Sequence, residues 1–66
     1  MTIKKALSDF IGKKCSYNAI CDMGIRVKEL HDIFAADYIP PLSTQNKIRS
    51  RIWKDFPLLD IEDTWQ

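Results

Sequence analysis

The chain has 66 residues, enough for a single small helical domain, 1–66, which at this size hides only about 60% of the surface its unfolded form exposes. Apolar residues make up 45% and charged residues 29%, with two glycines and three prolines, which excludes a disordered tail and a loop-dominated fold. A formal net charge of +1 excludes a global field that would pull the protein onto DNA or a membrane, so local patches must carry any such attraction.

The opening stretch MTIKKALSDFIGKK interrupts its apolar positions with lysines, so it holds neither a signal-peptide core nor a membrane span and points to a cytoplasmic protein. Within it Ile3, Ala6, Leu7, Phe10 and Ile11 recur at i, i+3, i+4, i+7 and i+8. Thr2 is placed as an N-cap, and Lys5, Asp9 and Lys13 are spaced as i, i+4 pairs, which predicts a helix over 3–13. Ser16 can cap a brief second helix, 17–23, that turns Tyr17, Ile20 and Cys21 inward, with Gly24 as the left-handed residue that ends it. On such a helix Cys15 and Cys21 point to opposite sides, cannot bridge, and are expected as buried free thiols.

RVKELHDIFAADY predicts a third helix over 26–38, with Val27, Leu30, Ile33 and Phe34 on one stripe, and Pro40 with Pro41 stops it. Ser43 then caps a fourth helix, 44–56, which buries Ile48, Ile52 and Phe56 and ends at Pro57; Trp53 is expected in the core. The tail PLLDIEDTWQ alternates like an extended strand, yet Asp60 could equally cap one last helical turn through Trp65. The fold class is therefore all-α: a compact bundle of four short helices with a C-terminal tail that is either extended or one helical turn.

Catalytic and metal chemistry find little support. His31 stands beside Glu29 and Asp32 with no serine or cysteine placed for it to activate, and the spacing of Cys15, Cys21 and His31 matches no zinc pattern. Gly12 and Gly24 stand alone, so no loop can cradle a phosphate, and Asp60, Glu62 and Asp63 read as a solvated acidic terminus. A protein that binds without catalysis, with no cofactor and no metal, is the expectation.

The most informative stretch is the fourth helix. Its first turn is polar, Lys47, Arg51 and Lys54 share one stripe, and Gln45, Arg49 and Trp53 form the neighbouring one. An amphipathic helix with a solvated basic face accounts for the same pattern. VKELHDIFAADY, the connection IPPL and STQNKIRSRIWKDF together resemble a helix-turn-helix domain over residues 27–56. The resemblance implies that Ser43, Thr44, Gln45, Asn46, Lys47, Arg49 and Arg51 face nucleic acid, and Lys54 joins them from the cationic stripe. The connection departs from the family, being longer and richer in proline than the usual glycine-bearing turn.

A second frame takes helix two, Met23-Gly24-Ile25 as the turn, and helix three as reader. Its glycine suits the motif better, but it sets Glu29, Asp32 and Asp37 against only Arg26 and Lys28, so the first frame is preferred. The expected function is a small DNA-binding transcriptional regulator acting on double-stranded DNA, with a homodimer repairing the few contacts of one short reader. The alternative is a small inhibitor or adaptor that binds a larger protein, suggested by the near-neutral charge, the acidic tail and Trp65.

Overall fold

The computed structural model describes residues 1–13, 17–35 and 37–66. Among them lie four helices and no strand: α1 (Ile3–Lys13), α2 (Tyr17–Asp22), α3 (Val27–Ile33) and α4 (Leu42–Asp55). One contiguous core joins Ile3, Leu7 and Phe10 of α1 to Ile33 of α3, Ile48 and Ile52 of α4, and Ile61 and Trp65 of the tail. The Phe10 and Phe56 rings lie 6.2 Å apart between centroids at 88°, a T-shaped contact between α1 and the end of α4.

Helix α1 follows its sequence pattern. Ile3, Ala6, Leu7 and Phe10 are buried, the Lys5 amide donates to Thr2 Oγ1 at 3.3 Å, and Lys5 pairs with Asp9 at 3.5 Å. Its first free amides are met from the far end of the chain: Ile3 N–H donates to the Thr64 carbonyl and Lys4 N–H to the Trp65 carbonyl, each at 2.9 Å. A helix leaves its first N–H groups without intrahelical acceptors, and the tail supplies two of them. Residues 57–66 thus form neither strand nor helix; they lie along the N-terminal end of α1, with Ile61 and Trp65 buried.

Several expected boundaries and burials are corrected. The second helix stops at Asp22, and Tyr17 and Cys21 are exposed rather than inward; the Cys21 thiol is free. The expected Ser16 cap and the placement of Cys15 fall outside the described residues. The third helix ends at Ile33 instead of 38, because the chain turns to seat Tyr38 against the core and Pro40 inside it; Val27 and Phe34 are exposed. The fourth helix begins at Leu42, so Ser43 lies within its first turn and Pro41 occupies the capping position. Proline suits that place since no amide is needed there, and the Gln45 amide closes the first turn on the Pro41 carbonyl at 3.0 Å. Trp53 is 36% exposed, with its indole N–H donated to the Leu59 carbonyl at 2.7 Å, so it lies at the rim of the core.

Between α2 and α3 the chain turns over residues 23–26 at Gly24, whose φ of +71° is the left-handed conformation that a Cβ disfavours. Met23 and Ile25 flank it and are buried. A Cβ at Gly24 would meet only the Lys47 side chain, at 3.5–3.6 Å, an ordinary contact. Gly24→Ala is therefore expected to lose about 1 kcal/mol through the backbone alone. Urea unfolding checks this, and an unchanged midpoint would contradict it.

Candidate nucleic-acid interface

The residues singled out on the fourth helix divide into three groups in space. Ser43, Asn46, Lys47 and Lys54 are exposed and Thr44 is half-buried. Gln45 points inward: it is 7% exposed and its Nε2 donates to the Pro40 carbonyl at 2.9 Å, which pins the connection before α4 to the helix. Gln45→Ala removes that bond and leaves a buried carbonyl unpaired, for an expected loss of about 1–3 kcal/mol. Thermal unfolding measures it, and an unchanged Tm would contradict the assignment.

Arg49 and Arg51 are held by carboxylates. Arg49 pairs with Asp63, donates to Asn46 Oδ1 at 3.2 Å, and lies over the Trp53 ring at 5.3 Å. Arg51 bridges Asp22 at the end of α2, 3.3 Å away, and Asp55 one turn along α4, 3.0 Å away, while its guanidinium covers the Phe10 ring. The hydrogen bond to Asp55, outweighing the cost of burial, raises the Arg51 pKa further above its ordinary value. Only about a fifth of each arginine side chain is exposed, at 19% and 18%. The clasps to Asp63 and Asp22 were not visible in helical spacing, since both are distant in sequence; the Arg51–Asp55 pair is an i, i+4 neighbour.

Helix α3 presents a different surface. At 100° per residue, Val27, Lys28, His31 and Asp32 fall on one arc, and all are exposed, as is Arg26 just before the helix. Ile33 is buried and Leu30 half-buried on the opposite arc. Glu29 is drawn aside: Tyr38 Oη donates to its Oε2 at 3.1 Å. Partial burial and this carboxylate together push the Tyr38 phenol above its usual range. Asp37 lies beyond the end of α3. Of the acidic residues that weighed against helix three in sequence, Asp32 is the one on its outer arc.

Helix α4 is held by α1 and α2. Its Lys47 side chain lies against Gly24, and Arg51 ties it to Asp22. A cavity of about 60 Å³ between Phe10, Ile52, Phe56 and Leu59 is far below the several hundred Å³ of small-molecule sites. Among the described residues no group of three or more His, Cys, Asp or Glu is placed to hold a metal ion, and no helix is long and apolar enough to cross a membrane.

Comparison of this chain with family models, with curated proteins and with solved structures finds no match.

Proposed function

We propose that this protein is a small DNA-binding regulator in which α2, the Gly24 turn and α3 form a helix-turn-helix and α3 reads the major groove. The observation that carries the reading is the close α2–α3 connection, residues 23–26, turned by Gly24 at φ +71° with Met23 and Ile25 buried on either side. A short glycine turn of this kind holds a second helix clear of the first so that its outer arc can enter a groove.

In this reading the reader is 27–33 rather than 44–56. Residues 34–41 separate α3 from α4, a long connection for the motif, and Gln45 is committed to the core. Arg26 just before α3 and Lys28 on it offer charge to phosphates, His31 offers a ring N–H to a base edge, and Val27 offers methyl surface to thymine. Asp32 accepts from cytosine N4 or discourages other bases.

The reading is tested with Arg26→Ala/Lys28→Ala, both exposed positions, in a duplex-binding assay. The double variant is expected to keep its helical circular dichroism and bind duplex DNA at least about tenfold more weakly, each lost pair or phosphate contact removing about a decade. Unchanged affinity would contradict α3 as reader.

A protein partner is the second reading. The observation favouring it is the exposed apolar end of α4, where Trp53 carries the stacked Arg49 and Leu58 is 97% exposed, the aromatic, Arg and aliphatic mixture common in interface centres.

A further inference from the structure

The face of α4 that meets α2 carries charge that the reader helix does not use. Lys47, Arg51 and Lys54 occupy one stripe and, with Asp22, Asn46 and Ser50, line an open groove of about 530 Å³ beside the Gly24 turn. The three cations differ in state. Arg51 is spanned by Asp22 and Asp55, whereas no ion pair among the described residues involves Lys47 or Lys54. Both lysines are exposed. Lys47 Nζ lies 3.5 Å from where a Gly24 Cβ would stand, next to the turn that delivers Arg26 and the start of α3.

We infer that this groove is a second DNA contact, a clamp in which Lys47 and Lys54 hold the phosphate backbone beside the groove that α3 enters, with Asp22 limiting its strength. The inference rests on the DNA-binding reading above and adds a site to it. Seven residues of helix set the lysines about 10.5 Å apart along α4. That is about the axial length of three phosphates on one strand at 3.4 Å each. Lysine, a mobile point charge with three donors, suits contacts that position without reading sequence. Ser50 and Asn46 between them supply neutral donors to the same oxygens. Asp22 projects its negative charge into the groove and holds Arg51 back from the backbone, so the clamp is weaker than its three cations would make it.

The experiment is fluorescence anisotropy of the full chain on two duplexes of unrelated sequence across a salt series. The variants are Lys47→Ala/Lys54→Ala and Asp22→Asn. For the lysine double variant the slope of log K against log salt is expected to become shallower by about 1.8, from two contacts at about 0.9 each, with affinity lost alike on both duplexes. Asp22→Asn is expected to bind severalfold more tightly, a gain that a merely structural role for Asp22 would not give. If the lysine variant matches the wild-type slope and affinity while the wild type binds DNA and Arg26→Ala/Lys28→Ala does not, the clamp is overturned and the α3 reading stands. If the wild type binds neither duplex at low salt, both are overturned together.

Discussion

Trp65→Ala is expected to cost about 3–5 kcal/mol, the range for truncating a buried large aromatic. A chain of this length at roughly 0.05–0.15 kcal/mol per residue has a total stability of about 3–10 kcal/mol, so the variant loses a large share of it. The reason lies in what Trp65 does besides filling space. Its ring is 5% exposed against the core, and its carbonyl takes the Lys4 amide at the start of α1. Loss of the ring frees the tail, and with it the acceptors of the Ile3 and Lys4 amides. Among the described residues the buried indole Nε1 finds no hydrogen-bond partner, which carries an unpaired desolvation cost. Trp65→Phe removes that polar atom and is expected to lose far less than Trp65→Ala. Denaturant midpoints of the two variants check the pair, and equal losses would contradict the tail's dual role as core and cap.

Ile33→Ala is the second large expected effect, about 2–5 kcal/mol. Ile33 is the one residue of α3 that is fully buried, at 0% exposure, with Leu30 half-buried beside it and the Tyr38–Glu29 bond on the flank. Truncating it leaves a cavity at the only deep anchor of the proposed reader. Val27→Ala on the same helix is expected to change stability by less than about 0.5 kcal/mol, since Val27 is 60% exposed. The contrast separates anchoring from helix propensity, because the two substitutions alter propensity in the same direction. Comparable losses from Val27→Ala and Ile33→Ala would contradict the orientation of α3 described above.

The four-helix, all-α architecture was legible because its dominant signals are local. The 3.6-residue recurrence of Ile3, Leu7 and Phe10, the Thr2 cap, and the burial of Ile48 and Ile52 each follow from a few neighbouring residues. What sequence missed depends on partners far along the chain. The early end of α3 reflects Tyr38 and Pro40 turning back to the core, which no helical stripe records. The tail's alternating pattern comes from Ile61 and Trp65 packing against α1, whose amides the tail satisfies, and an alternation alone reads as a strand. Trp53 follows Ile52 by one residue, so it stands about 100° from the buried stripe; bulk suggested the core and position places it at the rim.

The candidate site divides in the same way. The basic face of α4 was readable as composition, but composition could not show that Asp63 and Asp22 occupy Arg49 and Arg51, or that Gln45 faces inward. For α3 the converse holds. Glu29 and Asp37 counted against it as a list of charges, whereas Glu29 is bound by Tyr38 and Asp37 lies off the helix. The Gly24 turn that ends α2 was legible in the sequence, and its left-handed φ gives the reason a glycine stands there.

The central claim is that this protein recognises duplex DNA through α3. The measurement that tests it most directly is a titration of the full chain with duplex DNA at two salt concentrations. The account predicts binding at the lower concentration, and a fall in log K with log salt whose slope matches several phosphate contacts. No binding at low salt, or an affinity indifferent to salt, would contradict it.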